Sequence, residues 1–329
     1  TDFEERFASY IGTQYGNATT SGTTGLHVAL EAAGIGEGDK VLTTPFTFIA
    51  SSNSILYCGA EPVFVDVDPQ TFNIDPEKMR EALEADPEIK AVLIVHLYGL
   101  SCDMDHIMSL VEEYDLKLIE DCAQSHGAKY KGQTVGTFGD TAVYSFYPTK
   151  NMTTGEGGIV LTDDEEINEK CNLLIKHGAS ERYKHEILGY NYRMTNIAAA
   201  IGLKQLEKLD QFNNNRQENA AYLTDNLKDL DWLTTPYLPK DREHVYHQYT
   251  LKVENRDKLI DHLQDNGVGY GIHYACPAYR QPLYKKLGYE DISLPVTEKL
   301  TKKVVSIPVH PALSDKDLEK IVRVIRNFK

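Results

Sequence analysis

Cysteine is scarce in this chain, and the few residues present form no motif. Cys58, Cys102, Cys122, Cys171 and Cys276 are scattered over 329 positions with no C-x-x-C among them. An odd, dispersed set in a chain this long argues against a disulfide framework and points to reduced thiols in a cytoplasm. No metal site is expected. Apolar runs are short: none approaches the ~20 residues of a membrane-spanning helix, so no membrane partner is expected. The opening TDFEERF is charged and carries no signal-peptide pattern. Positive charge is also in deficit, with 34 Lys and Arg against 49 Asp and Glu and a net charge of −15. So acidic a surface repels phosphate backbones, and nucleic acid is not expected as a partner, although a local pocket for one small anion is compatible with it. Internal repeats and low-complexity segments are absent. What remains is ordinary globular composition, in a chain longer than one ordinary domain.

What the sequence does have is a rhythm. Apolar, β-rich runs at 40–44, 62–67, 91–97, 116–121, 141–146 and 158–162 alternate with helical patterns, among them 75–85 and 103–115. Near-continuous apolar strands between helices predict an α/β fold with a mostly parallel sheet covered on both faces. After about residue 195 the pattern shifts to long helical sequence. A strand-like YHQYTLKV comes next, then a helix at about 255–266 and a final helix DKDLEKIVRVIRNF. We therefore expect a large domain over 1–210 and a smaller α+β domain with linking helices over 211–329.

Polar residues can be placed on that frame. Ligands in open α/β sheets gather at the carboxyl ends of the strands. Asp121 ends one strand pattern and Ser145 another. The stretch TTSGTTGLHVAL at 19–30 is small, polar and glycine-containing, and runs straight into a helix, a ready anion site. Each signal alone has a plain alternative. Asp121 also reads as a helix cap or loop salt bridge, the Ser and Thr residues as caps, Lys150 as a solvated surface charge, and Phe48 as core. Taken together, an anion cradle, a strand-end carboxylate and a lysine in a Gly/Thr-rich loop suit pyridoxal phosphate. The phosphate needs N–H and hydroxyl donors, the pyridine nitrogen a carboxylate, and the aldehyde a lysine amine for a Schiff base. Phe48 is the candidate for stacking on the ring.

These residues sit in blocks that resemble the DegT/DnrJ/EryC1/StrS family of sugar aminotransferases. The blocks include SGTTGLHVAL (21–30), TTPFTFIASSNSI (43–55), IEDCAQSHGAKYKGQTVGTFGD (119–140), SFYPTKNMTTGEGGIVLT (145–162), GYNYRMTNIAAAIGLKQLEKLD (189–210) and SIPVHPALSDKDLEKI (306–321). They span nearly the whole chain, in family order. The resemblance implies a pyridoxal-phosphate-dependent enzyme of fold type I, with a seven-stranded type of large sheet. It implies that Lys150 holds the cofactor and moves the proton, and that Asp121 pairs with the pyridine nitrogen. Gln124 is then a contact to the ring or its 3-hydroxyl. Gly22 and Thr23 become the backbone cradle for the phosphate, Ser145 a hydroxyl donor to it, and Phe48 the stacking ring. Asn191 is expected to reach the phosphate in a neighbouring subunit's site, within a homodimer of shared active sites. Arg193 is expected near the entrance, as a substrate contact or in a supporting ion pair.

The implied reaction takes an amino group from L-glutamate and gives it to a keto-deoxysugar linked to a nucleoside diphosphate. Such products feed surface polysaccharide, glycan or secondary-metabolite synthesis. The block RYKHEILGYNYRMTN at 182–196 resembles the branch that aminates C4 of a GDP-linked sugar, and this reading is favoured over the C3 amination suggested by GIHYACPAYRQPLYKKLGY at 271–289. Some relatives carry histidine in place of the lysine and dehydrate their substrate; here PTKN keeps Lys150, which favours transamination. Family members usually have about one further helix ahead of the equivalent of FEERFASYIG, and this sequence begins almost there, which leaves open any contact such a segment makes. Two other classes stay open: another fold-type-I enzyme, such as a lyase or an amino-acid aminotransferase, and a non-catalytic sensor that binds the same cofactor.

Overall fold

A computed structural model describes residues 2–328. Its centre is a sheet of seven strands: β1 (Tyr15–Thr19), β2 (Lys40–Thr43), β3 (Glu61–Phe64), β4 (Ile89–Val95), β5 (Lys117–Asp121), β6 (Thr141–Ser145) and β7 (Gly158–Thr162). Their order across the sheet is β1-β7-β6-β5-β4-β2-β3. The pairs β2–β3, β2–β4, β4–β5 and β5–β6 are parallel, while β7 runs antiparallel to both of its neighbours. The sheet is thus mostly parallel, as the apolar runs imply. Strands β6 and β7 are buried at every position, which is what covering both faces requires.

One strand was not legible in the sequence. The segment YGNAT lacks the β-branched run of a typical strand, yet it pairs with β7 over five residues from Tyr15↔Thr162 to Thr19↔Gly158. Its partner's backbone decides its conformation, because an open edge leaves ladder donors and acceptors unpaired.

Helices α1 (Asp2–Ile11), α2 (Gly22–Ala32), α3 (Ala50–Tyr57), α4 (Pro76–Ala85), α5 (Met104–Glu113) and α6 (Glu165–Ile175) cover the sheet. The start of α2 is fixed by its own cap. The Ser21 hydroxyl accepts from the Thr24 amide at 3.1 Å, and Thr24 Oγ1 accepts from the Ser21 amide at 3.0 Å. This reciprocal box sets the helix start in place. Two glycines let that start settle on the sheet edge. A Cβ on Gly158 would meet the Ser21 carbonyl oxygen at 2.4 Å, and one on Gly22 would meet Ser145 Cβ at 2.8 Å. No side chain fits either gap.

Beyond α7 (Asn196–Leu206), the long helix α8 (Leu209–Leu227) leads to a second, three-stranded antiparallel sheet. It comprises β8 (Leu233–Thr234), β9 (Tyr249–Val253) and β10 (Val304–Ile307), ordered β8-β9-β10. Helices α8, α9 (Arg256–Asp265) and α10 (Asp315–Arg326) pack on it around Leu223, Leu227, Tyr249, Leu251, Leu263 and Ile325. The chain returns to the large sheet through Asp66, whose carboxylate accepts from the amides of Val296 and Thr297 and from the Thr297 hydroxyl at 2.7–2.8 Å. Among the described residues no helix is long and apolar enough to cross a membrane.

Candidate active site

The carboxyl ends of the parallel strands and the start of α2 open into one cavity of about 600 Å³. Gly22, Thr23, Phe48, Asp121, Gln124, Ser145 and Lys150 all line it. They come from four separate stretches of chain. The register explains part of the meeting: Asp121 pairs with Val95 and Val143, and Ser145 pairs with Gly158, so three strand ends share one edge.

Alternation along β5 separates two carboxylates. Asp121 looks into the cavity. Glu120 looks the other way and is fully buried, where its oxygens accept from the amides of Gly136, Phe138 and Gly139, each at 2.8 Å. His96 Nε2 lies 2.9 Å from Glu120, and the Cys102 amide donates to His96 Nδ1 at 3.0 Å. His96, Glu120 and Cys122 bring possible ligand atoms within 4.8 Å of one another. The hydrogen bonds just named already occupy the histidine and the glutamate, so this cluster reads as a strut for the strand ends.

Asp121 is 4% exposed. Ser51 donates to one oxygen at 2.7 Å and the Ala123 amide to the other at 3.0 Å. Burial pushes its pKa up, against the pull of those two donors and of Lys150. The carboxylate therefore lacks a full counter-charge, a deficit that a protonated ring nitrogen would fill. Lys150 lies across the cavity, half-buried. Burial lowers its pKa from 10.5 to about 8, with Asp121 opposing the shift.

The phosphate end is equally well formed. The amides of Gly22 and Thr23 donate no hydrogen bond among the described residues, as the first turn of a helix dictates. Both sit at the positive end of α2, and Gly22 packs against Ser145. Close approach here depends on Gly22 having no Cβ. A buried carboxylate braced by two donors, an amine whose pKa burial lowers and a pair of free helix-start amides match the three polar ends of pyridoxal phosphate, and the residues present fit it.

Gln124 is held rigidly. The Tyr98 amide donates to its Oε1 at 2.7 Å, and its Nε2 donates to the Tyr274 hydroxyl at 3.0 Å. Phe48 stands at the rim, 58% exposed, where the cavity adjoins a second hollow lined by Ile49, Cys276 and Leu283. Asn191 and Arg193 do not join the cavity. They lie on an exposed strip, where Arg193 Nη2 donates to Asn191 Oδ1 at 3.1 Å, and where isolated bridges pair Asn191 with Lys176 and Arg193 with Thr19.

Sequence reasoning missed several lining residues: Thr47, Ser51, Glu156, His247, Gln248, His273 and Tyr274. Ser51 carried the fairest signal, as a hydroxyl three residues after Phe48. His247 and Tyr274 had none, since the strand-end residues Asp121, Gln124 and Lys150 with which they share the cavity lie about 100 to 150 positions away in the chain.

The chemistry of Lys150 gives a pH test. Only the neutral amine attacks an aldehyde, and burial favours that form. Capture of pyridoxal phosphate by the apo-protein is expected to speed up with rising pH and to level off above about pH 8. Absorbance after rapid mixing, followed from about pH 6 to pH 10, reads this directly. A rate still climbing steeply at the top of that range would show an ordinary, solvated lysine.

Comparison with known proteins gives the same picture. The profile of the DegT/DnrJ/EryC1/StrS aminotransferase family matches residues 1–326. The GDP-perosamine synthase of Caulobacter vibrioides is 40% identical over 332 residues, covering 98% of this chain and 88% of its own. The dTDP-3-amino-3,6-dideoxy-alpha-D-galactopyranose transaminase of Aneurinibacillus thermoaerophilus is 38% identical, over 99% of this chain and 89% of its own. The crystal structure of S. venezuelae DesV in complex with a ketimine intermediate superposes with a TM-score of 0.95 at 35% identity, covering 99% of this chain and 87% of that one. With a family profile over almost every residue and a cavity built for the cofactor, the chain belongs to the DegT/DnrJ/EryC1/StrS family and is a pyridoxal-phosphate-dependent aminotransferase.

Proposed function

We propose that this enzyme moves the amino group of L-glutamate onto a keto-deoxysugar carried by a nucleoside diphosphate, with amination at C4 of a GDP-linked sugar as the first reading. The observation that carries it is the meeting of Lys150, Asp121 and the free amides of α2 in one cavity, within a family whose similar members include a GDP-perosamine synthase. Amination at C3 is the second reading. It is favoured by the 271–289 block, which puts His273 and Tyr274 into the cavity wall, and by the likeness to a dTDP-3-amino-sugar transaminase. Incubation with glutamate and a panel of GDP-, dTDP- and UDP-linked keto-sugars, read by mass, tests both. A product aminated at C4 of the GDP sugar supports the first reading, and amination only of amino-acid keto acids would refute both.

When bound, pyridoxal phosphate supplies an aldehyde carbon for amine exchange and a ring that stores the electron pair released at the donor's Cα. The chain's own groups do the rest. The amides of Gly22 and Thr23 and the Ser145 hydroxyl would hold its phosphate. Asp121, braced by Ser51 and Ala123, would keep a proton on the ring nitrogen. Lys150 Nζ would hold the aldehyde carbon at rest and carry the proton between the donor's Cα and C4′.

We further infer a homodimer with shared sites. Among the described residues lining the cavity, Lys150 is the only lysine or arginine, and a dicarboxylate donor or a diphosphate calls for more positive charge. Asn191 and Arg193 stand ready on a strip flanked by exposed apolar side chains, with Tyr183, Leu188 and Ile197 77–83% exposed. Apolar exposure of this kind marks an interface, and a two-fold interface lends each site what it borrows. Lys150→Ala and Asn191→Ala proteins are each expected to be nearly inactive. When the two are unfolded together and refolded, half of the dimers are mixed, each with one intact site of two, so activity returns to about a quarter of wild type. No recovery, despite demonstrated subunit exchange, would refute the shared site.

A further inference from the structure

One buried polar side chain in the cavity has no role in the chemistry above. His247 lies just ahead of β9, lines the cavity, and is 6% exposed. Its Nδ1 is buried without a partner, and no hydrogen bond reaches the ring from any described residue. A buried polar group with no partner costs stability, and a native structure keeps one where something else is to fill the vacancy. The ring is not loose. Arg216 Nη1, from α8, donates to the carbonyls of Tyr246 and His247 at 3.1 and 3.5 Å, fixing the backbone that carries it.

We propose that His247 binds a hydroxyl group of the keto-sugar and so acts as a specificity contact for the second substrate. This rests on the sugar-nucleotide reading above. The argument is one of complementarity. The charged groups that act most on the ring are Lys150 and Arg216, with His126 and His273 beyond; the carboxylates of Asp121 and Glu156 also line the cavity. Burial first, and those cations second, hold the imidazole well below its ordinary pKa, so the ring is neutral. A neutral imidazole presents one donor and one acceptor. A carboxylate or phosphate offers acceptors only and pairs with the ring only through its N–H. A hydroxyl donates or accepts, and so pairs with a ring nitrogen in either tautomer. L-glutamate has no hydroxyl, whereas a sugar carries several. The phosphate and ring positions of the cofactor are already served by Gly22, Thr23, Ser145, Asp121 and Lys150, which leaves the substrate as the remaining occupant of this wall.

The two half-reactions separate the proposal from its rivals. Cofactor absorbance after mixing with L-glutamate reports the first, and after mixing the aminated enzyme with the nucleotide keto-sugar reports the second. In His247→Phe the second is expected to slow about 10- to 100-fold, while the first changes by less than about threefold. His247→Gln, which keeps a donor and an acceptor, should recover part of the loss. His247→Ala is the second truncation, free of any clash, and should show the same split. Calorimetry gives a readout without turnover: the aminated product nucleotide should bind His247→Ala about tenfold more weakly, and a deoxy analogue lacking the contacted hydroxyl should bind wild type and variant alike. Equal losses in both half-reactions, or an unchanged second half-reaction, would overturn the proposal. A wild-type enzyme that reacts with glutamate but with no keto-sugar would instead overturn the function proposed above.

Discussion

Lys150→Ala is expected to leave no turnover above background. In the proposed mechanism the amine at this position serves twice, as the holder of the cofactor and as the carrier of the proton between Cα and C4′, and alanine removes both at once. No other lysine or arginine lines the cavity among the described residues, so no neighbour can substitute. Borohydride treatment of the purified wild-type protein followed by peptide mapping is expected to place a pyridoxyl group on the peptide bearing SFYPTKN, at Lys150. A label on any other lysine would sink the assignment. The variant should still fold. Among the described residues the Lys150 amine makes no hydrogen bond, and burial lowers its pKa, so truncation removes a desolvation penalty as well as a contact.

The second large effect concerns Asp121. Asp121→Asn is expected to keep the fold and a measurable share of cofactor binding, but to cut the rate by about 10²–10³. The Ser51 hydroxyl and the Ala123 amide donate to the two carboxylate oxygens, and an asparagine can retain one of these bonds. What it cannot supply is a negative charge beside the ring nitrogen. Without it the nitrogen loses its proton, and the ring stores the released electron pair poorly. The charge also acts on Lys150, since Asp121 is the one group holding the amine's pKa up. The variant's amine should therefore titrate lower than wild type, and the plateau of cofactor capture should begin at a lower pH. Near-normal turnover would mean that Asp121 is merely a cap at the end of β5.

Much of this enzyme can be read along the chain. The six apolar runs at 40–162 are six of the seven strands of the large sheet, and the mostly parallel pairing agrees with their being buried on both faces. The helix that the small, polar stretch at 19–30 runs into is legible, and Ser21 with Thr24 caps it. Lys150, Asp121 and Ser145 stand out because each ends or comes after a strand pattern, where ligands collect. These features depend on neighbours within a few residues, so local periodicity and capping chemistry determine them. The rest is set by distant pairings. YGNAT becomes a strand only because β7 offers it a ladder. Ser51 braces Asp121 across 70 positions, and Gln124 meets Tyr274 across 150. His247 enters the cavity wall because α8 holds its backbone through Arg216. Such contacts have no local pattern. Their partners are chosen by how helices and strands stack once the core has closed, and that choice is made only when the tertiary structure buries the groups and leaves each one to find a partner or a ligand.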